Sequence, residues 1–220
     1  MMNDWYQKSA RMYYSKVADP EKNADAQYLL DCWKSLPSSK AGYTRCPALV
    51  VDFETSSLDC EKGEIISAGW VTAENGAVKL ATAEHWLIAS EMSVGDSATV
   101  HKIRDCELEN GISDREMLKQ LLIAAKGKVL VFHNAQMDLA FLNKLCLKYC
   151  GIPLLLPYRD TFRTERENML KMSEVLPQNS LTLAACRKRH KLPNYPGHNA
   201  LVDAIATAEL FLVQHYRTAA

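Results

Sequence analysis

The stretch ALVVDFETSSL, Ala48–Leu58, decides the fold because it joins an apolar run to a pair of carboxylates. Successive side chains of a β-strand point to opposite faces, so Asp52 and Glu54 would project together while Phe53 turns into the core. Adjacent carboxylates repel each other, and a shared hard cation such as Mg²⁺ or Mn²⁺ relieves that repulsion. Solvent-facing strand ends also carry Asp and Glu, so the pair alone predicts only the end of a buried strand.

The composition predicts one globular domain of ordinary size. The chain has 220 residues, of which 48% are hydrophobic and 24% charged. Lys+Arg and Asp+Glu balance at 26 each, which argues against a tight nonspecific nucleic-acid binder but not against a small site for one strand end. The seven cysteines are odd in number and scattered, as in reduced cytoplasmic proteins. No signal peptide is indicated and no apolar segment reaches the ~18 residues of a membrane span, so we expect a cytoplasmic protein with no membrane partner.

Residues 1–45 differ from the rest of the chain in their density of Tyr and Trp. The segment Asp25–Leu36 has a helical spacing of apolar residues. We therefore predict a helical N-terminal extension over 1–45 and a main domain over 46–220. The aromatic side chains are expected to pack the extension against the main domain, and the alternative is a docking surface for a polymerase or repair partner.

The main domain shows the pattern of an α/β fold. Asn75-Gly76 is a strong hairpin signal between two apolar segments. After the first strand, the pattern predicts strands over Glu64–Ala73, Val78–Ile88, Lys128–His133 and Tyr158–Thr161, with helices over Asp114–Ala125, Gln136–Cys150 and about 163–173, 180–190 and 199–216. Short turns favour an antiparallel meander of the first three strands, and the helical connections favour parallel later strands. The prediction is a mixed β-sheet flanked by helices.

Two further acidic residues lie at the ends of predicted elements. Asp138 falls in the first turn of a helix, where the helix dipole alone would favour an acid. Asp203 lies on the last predicted helix, five residues after His198, which is about 140° around a helix axis. His198 could share a site with Asp203 only from a bend before the helix, and Pro196-Gly197 supplies one. By itself His198 would be a surface residue.

Together these residues predict a different chemistry from each one alone. Four carboxylates are what two divalent cations about 3.5–4 Å apart require for displacement at phosphorus. A titratable histidine beside them is a suitable general base for the attacking water. The four acids are Asp52, Glu54, Asp138 and Asp203, and the histidine is His198.

These residues resemble the three motifs of the DnaQ-like (DEDDh) 3′–5′ exonuclease family, to which the proofreading subunit of bacterial DNA polymerase III belongs. The resemblance runs from about Ala48 to Val213, with the motifs in order. Asp-x-Glu followed by Thr matches 52–55, His-Asn-Ala-x-x-Asp matches 133–138, and His-x-Ala-x-x-Asp-Ala matches 198–204. The segment 100–103 resembles the family's Val-His-Gly-Ile element, with Lys102 in place of Gly. Ser56-Ser57 replaces the usual Thr-Gly, and Met137 replaces a common aromatic residue.

The resemblance implies a ribonuclease H-like fold and a two-metal 3′–5′ exonuclease. It implies that Mg²⁺ or Mn²⁺ is bound by the four acids, that His198 is the general base, and that the chain hydrolyses the terminal phosphodiester of single-stranded nucleic acid, with DNA favoured, to release nucleoside 5′-monophosphates. The pocket for the terminal nucleotide would be lined by Thr55, Leu58, Val100, His101 and Asn134. The alternatives are an RNA-trimming exoribonuclease of the same family and a non-catalytic nucleic-acid-binding module on the same fold.

Basic residues in the second half could guide a strand. The run 187–191, Arg-Lys-Arg-His-Lys, is typical of a solvated helix end, where cations are favoured. Phosphate contacts from this run, and from Arg159, Arg163 and Arg166, are the less favoured interpretation.

Overall fold

The structure, a computed structural model, describes residues 12–14, 23–36, 46–89, 108, 110–172 and 175–217. Five strands form one mixed sheet in the order β3-β2-β1-β4-β5. The strands are β1 Ala48–Thr55, β2 Ile65–Glu74, β3 Ala77–Leu87, β4 Val129–Phe132 and β5 Tyr158–Asp160. The first three pair antiparallel, and β4 and β5 extend the sheet in parallel from β1. The predicted mixed α/β sheet is therefore confirmed.

Helices cover both faces of this sheet. They are α1 Ala24–Ser35, α2 Asp114–Ala125, α3 Gln136–Leu145, α4 Thr161–Leu170, α5 Leu183–Arg189 and α6 Ala200–Arg217. The helix predicted over 136–150 is α-helical only to Leu145 and continues as a π-helical turn, Cys146–Cys150, that ends at Gly151 in the left-handed conformation. The strand predicted to reach Thr161 ends one residue earlier, because the Asp160 side chain caps α4.

The alternation of β1 decides which helices lie on which face. Leu49, Val51 and Phe53 belong to the larger core cluster, together with apolar residues of α1, α2 and α3. Val50 points the other way and joins a second cluster with Ala208 of α6. Because side chains two apart share a face, Asp52 and Glu54 project on the α6 side of the sheet. The alternation of side chains along β1 thus directs both carboxylates toward α6.

The described part of residues 1–45 lies against the domain. The side chain of Asn23 caps α1 and also donates to the backbone oxygen of Tyr149 at 2.8 Å. Tyr14 is buried, its hydroxyl donates to the Pro153 oxygen at 2.6 Å, and its ring meets Trp33 edge-on at 5.3 Å. The division of the chain at residue 45 stays a prediction. Among the described residues, no helix has the length and apolar character needed to cross a membrane.

Candidate active site

The ends of three parallel strands bring polar residues to one edge of the sheet. Strands β1, β4 and β5 run in the same direction, so their carboxyl ends meet at that edge. Asp52 and Glu54 lie near the end of β1, Asn134 follows β4, and Asp160 ends β5. Pairing between β1 and β2 shifts register between Glu54 and Thr55, so a bulge ends the ladder beside Glu54.

Three carboxylates from β1 and α6 form a compact cluster. One carboxylate oxygen from each of Asp52, Glu54 and Asp203 lies within 4.8 Å of the other two. Glu54 is buried, and Asp52 and Asp203 are half-buried. Hard oxygen ligands at this separation suit Mg²⁺ or Mn²⁺. The donor set therefore fits a divalent cation.

Gly69 makes the approach of α6 to β1 feasible. It pairs with Asp52 across the β1–β2 ladder and faces the start of α6. A Cβ atom built on Gly69 would lie 2.2 Å from the backbone nitrogen of Leu201 and 2.3 Å from the carbonyl carbon of Ala200. No side chain fits there, so the helix backbone rests directly on the strand. That close approach brings Asp203, in the first turn of α6, beside Asp52.

Asp138 is not one of the three clustered carboxylates, but its charge acts on both Asp52 and Glu54. It lies in the first turn of α3 with 5% of its surface exposed, and the backbone of Phe53 hydrogen-bonds its carboxylate. No side chain caps the start of α3 from within the helix. Asp160 instead fixes the turn that leads into α3, because its carboxylate accepts the N–H groups of Asn134 at 3.0 Å and Ala135 at 3.3 Å. The same carboxylate accepts the N–H of Phe162 at 3.0 Å.

Burial raises the pKa of all four carboxylates, and repulsion within the set adds to it at Asp52 and Glu54. Burial, followed by the charges of Asp138, Asp203 and Glu54, raises the pKa of Asp52 well above its usual value. Burial and the charges of Asp203 and Asp138 raise the pKa of Glu54 to about 7. Burial also raises the pKa of Asp138 to about 7. Such mutual repulsion is what a bound cation would remove.

At Asp203, hydrogen bonds and nearby positive charges partly offset the effect of burial on the pKa. Burial raises its pKa, while the backbone N–H of His198 and the charges of His198 and Arg187 act in the opposite direction. The N–H of His198 donates to Oδ2 of Asp203 at 2.9 Å. This backbone hydrogen bond orients the Asp203 carboxylate within the site.

His198 lies before the helix, as the sequence required for it to share a site with Asp203. It is exposed and adopts a φ of 66°, which is uncommon for a residue with a side chain. Gly197 precedes it, and a Cβ there would lie 4.0 Å from both carboxylate oxygens of Asp203. The chain therefore turns around the Asp203 carboxylate and leaves the imidazole at the surface of the site.

The other predicted pocket residues differ in exposure. Thr55 is buried, and its hydroxyl donates to the Ser57 oxygen at 2.9 Å, which shapes the turn after β1. Leu58 is 85% exposed, unusual for an apolar side chain. Asn134 is exposed at a φ of 67°. Val100 and His101 lie outside the described residues.

An open cavity of about 400 Å³ adjoins the same sheet edge. It is lined by His133, Asn134, Phe162, Leu176, Pro177, Asn179, Ser180, Leu181 and Thr182. The ring of Phe162 meets the imidazole of His133 edge-on, with centroids 5.9 Å apart. His133 is fixed by hydrogen bonds to the Thr161 hydroxyl at 2.8 Å and the Leu181 oxygen at 3.0 Å. The volume lies in the range of small-molecule sites.

Sequence reasoning missed Gly69, Asp160 and Phe162. A glycine within an apolar strand pattern signals a close backbone approach, so Gly69 could have been singled out. An Asp before a helix signals an N-cap, although nothing local shows that Asp160 also binds the turn before α3. Phe162 has no sequence signal as a cavity residue, because its place depends on the packing of α4 beside β4.

Comparisons with known proteins agree with this geometry. The family model described as Exonuclease (RNase_T) matches residues 49–211. The PolC-type DNA polymerase III of Thermotoga petrophila is 31% identical over 176 residues, and that of Thermotoga maritima is 32% identical over 165 residues. The alignments cover 80% and 74% of this chain but only 12% and 11% of those polymerases. The chain thus spans about an eighth of the length of the relatives that it matches.

Solved structures share the fold at low sequence identity. E. coli exonuclease I in complex with a dT13 oligonucleotide has a TM-score of 0.66 at 13% identity, over 79% of this chain and 42% of that one. The nuclease domain of 3′hExo, described as a DEDDh family member bound to rAMP, has a TM-score of 0.61 at 16% identity, over 76% of this chain and 90% of that one. Because the family model matches residues 49–211, which is most of this chain, the chain belongs to the exonuclease (RNase_T) family, and the predicted resemblance to the DnaQ-like 3′–5′ exonucleases is confirmed.

Proposed function

We propose that this chain is a metal-dependent 3′–5′ exonuclease that releases nucleoside 5′-monophosphates from single-stranded nucleic acid. The observation that carries the proposal is the convergence of carboxylates from β1, α3 and α6 on one edge of the sheet. Buried like charges are costly, and the pKa of Glu54 and that of Asp138 are raised to about 7. A bound cation would remove this cost, which supports a metal site.

The residues that would hold the cations are Asp52, Glu54, Asp138 and Asp203. Divalent cations, when bound, lower the pKa of water and neutralise negative charge at a phosphodiester. The protein's own contribution is rigidity: Gly69 seats α6 against β1, and Asp160 fixes the start of α3. The carboxylates are thereby held close together before any substrate arrives.

His198 is the proposed general base. Its backbone is tied to Asp203 and its imidazole is exposed beside the carboxylates, so a ring nitrogen can accept a proton from a water molecule and return it to solvent. The exposed position suits a group that must exchange its proton after each turnover.

The substrate is proposed to be DNA rather than RNA. Support comes from the relatives, which are DNA polymerases, and from a structural neighbour in complex with a dT13 oligonucleotide. Exposed Leu58 and half-buried Phe162 offer apolar surfaces to bases on two sides of the site. The neighbour bound to rAMP keeps an exoribonuclease as the second candidate. Discrimination would require a contact to the 2′-OH.

A polymerase or repair protein is the proposed partner, with residues 1–45 as the contact. The support is that the PolC-type relatives are polymerases of which the chain matches a small part. We also propose a cytoplasmic location, because the six cysteines within the described residues are free thiols.

The test is release of mononucleotides from 3′-labelled and 5′-labelled single strands, DNA and RNA side by side, with Mg²⁺, Mn²⁺ or EDTA. We expect metal-dependent shortening from the 3′ end, faster for DNA, and no release by Asp138→Asn. Faster RNA shortening would identify the exoribonuclease. Binding of a 3′ end without shortening by the wild-type chain would identify a non-catalytic binding module. Full metal-dependent activity in Asp138→Asn would contradict the assignment of the site.

A further inference from the structure

Arg187 is the buried member of a basic run that the sequence interprets as a solvated helix end. Only 3% of its surface is exposed, so the solvated interpretation is wrong for this residue, and a phosphate contact from it is excluded. Its neighbour Arg189 is also engaged, with Nε donating to Glu165 at 2.9 Å. A buried guanidinium is costly unless its donors are satisfied. Its partners therefore indicate what it does.

The partners of Arg187 lie on two segments that meet at the active site. Nε and Nη2 donate to the Pro193 oxygen at 3.3 and 2.8 Å, and Nη2 also donates to the Glu209 carboxylate at 2.7 Å. Nη1 donates to the oxygen of Ala206, one turn after Asp203. One guanidinium thus joins the loop before α6 to the middle of α6.

Tyr195 closes this arrangement from the loop side. Its ring covers the guanidinium of Arg187 at 4.6 Å, and its hydroxyl donates to the other oxygen of Glu209 at 2.9 Å. We call Arg187, Tyr195 and Glu209 the arginine clamp. Both clamped loop residues, Pro193 and Tyr195, lie within five positions of His198. Only two residues separate the clamp from His198, the proposed base.

We propose that the arginine clamp positions His198, because it ties the loop 193–198 to α6 about one to two turns beyond Asp203, which the backbone of His198 contacts. The proposal rests on the proposed function of His198 as general base. Only Pro196 and Gly197 lie between Tyr195 and His198, and the φ of Pro196 is fixed, so few bonds are left that could absorb a shift of the clamped end. Because His198 holds a positive φ, its place depends on these surrounding contacts rather than on local preference.

The experiment is a double-mutant cycle between the clamp and His198. Arg187→Lys keeps the charge but loses the planar fork that binds Pro193 and Glu209 together. Tyr195→Phe is the milder variant, since it removes the hydroxyl that binds Glu209 but keeps the ring over the guanidinium. We expect Arg187→Lys to lower kcat about 10- to 100-fold with KM changed less than about twofold, because a base misplaced by about 1 Å loses rate rather than binding. In a His198→Asn background, neither clamp variant should lower kcat further.

Tyr14→Phe is the matched control. It also removes a tyrosine hydroxyl that makes two hydrogen bonds, to Pro153 and from the N–H of Leu155, but on the α1 side of the protein. We expect its kcat to equal that of the wild type even if the variant is less thermally stable. A purely structural clamp would instead lower kcat by the same factor with and without His198, and that result would overturn the proposal.

Hydrogen exchange separates this proposal from the proposed function. Arg187→Lys, or Tyr195→Phe if the lysine variant does not fold, should speed exchange of the His198 amide, which is bonded to Asp203, while amides of β1 stay protected. Unchanged exchange over 193–199 would contradict the positioning role. A wild-type chain without nuclease activity that still shows faster exchange in the clamp variants would contradict the proposed function and leave the clamp as the anchor of the loop.

Discussion

The backbone N–H of His198 donates to Oδ2 of Asp203 at 2.9 Å. The bond holds the residue at a φ of 66° and leaves the ring exposed. Because the backbone makes this hydrogen bond, the bond does not depend on the identity of the side chain at position 198. Orientation of the carboxylate and acceptance of the proton are therefore separable by substitution of the side chain.

His198→Asn is expected to lower kcat about 10²- to 10⁴-fold, the range for loss of a general base. Asn tolerates positive φ, so the backbone N–H should stay on Asp203. Stabilisation of the protein by Mg²⁺ should consequently equal that of the wild type. Steady-state kinetics and thermal melts with and without Mg²⁺ measure the two effects.

His215→Asn is the control for that substitution, because His215 lies twelve residues further along α6, about 18 Å from Asp203. The control should retain wild-type kcat. If His198→Asn lost the response to Mg²⁺ together with activity, the separation between proton acceptance and carboxylate orientation would be disproved.

In the absence of divalent cations, the free energy of unfolding should fall as the pH rises. The folded-state pKa of Glu54 and that of Asp138 are raised to about 7, above their ordinary values of 4.5 and 3.8. The folded state binds more protons than the unfolded state between about pH 4 and 7, so the free energy of unfolding falls across this window. Mg²⁺ at 100 times its Kd should add about 2.7 kcal/mol at pH 8 and less at pH 5. Chemical unfolding in EDTA and in Mg²⁺ measures both.

Glu54→Gln isolates the contribution of the site. Other carboxylates, among them Asp114 and Glu165, have a lowered pKa in the folded state. Their contribution to the stability of the protein is therefore lost as the pH falls. The difference between wild type and Glu54→Gln in EDTA cancels these groups. The variant should gain stability relative to the wild type as the pH rises from 5 to 8, and a constant difference would refute electrostatic repulsion at Glu54.

Gly69→Ala should displace the start of α6 and with it Asp203. A Cβ at 2.2 Å from the Leu201 nitrogen meets backbone, which cannot move as a side chain would. We expect destabilisation by roughly 1–3 kcal/mol or more and loss of activity in the fraction that still folds. Thermal melts and kcat of the soluble protein measure these effects.

Ala68→Gly is the matched control for Gly69→Ala. Ala68 precedes Gly69 on β2 and points into the other core cluster, away from α6. The substitution should cost stability, as glycine in a strand interior does, without lowering kcat. An active, well-folded Gly69→Ala would show that α6 does not need this close approach.

Much of the fold is readable from local pattern. The alternation of Ala48–Thr55 gave the faces of Asp52 and Glu54, and Asn75-Gly76 gave the hairpin between β2 and β3, with Asn75 and Gly76 both at positive φ. These features depend on side-chain parity and turn chemistry, which act within a few residues. The helical elements were recognised for the same reason.

What the sequence could not supply is contact between distant segments. Asp138 alone has the pattern of a first-turn acid, and its place beside Phe53 depends on how α3 docks on the sheet. Arg187 reads as a solvated cation because its partners, Pro193 and Glu209, are brought to it by a turn and a separate helix. Tertiary burial overrides a local charge pattern at that position.

Phe162→Leu tests whether the 400 Å³ cavity receives a base upstream of the 3′ end. Loss of one base–aromatic stack costs about 1–3 kcal/mol, so KM for a single strand should rise roughly 5- to 150-fold. A nucleoside 5′-monophosphate aryl ester has no upstream base, and its KM should be unchanged. Phe211→Leu, on α6 against the second core cluster, is the control and should leave both KM values unchanged. An equal rise in KM for the strand and for the aryl ester would place Phe162 at the terminal nucleotide instead of upstream of it.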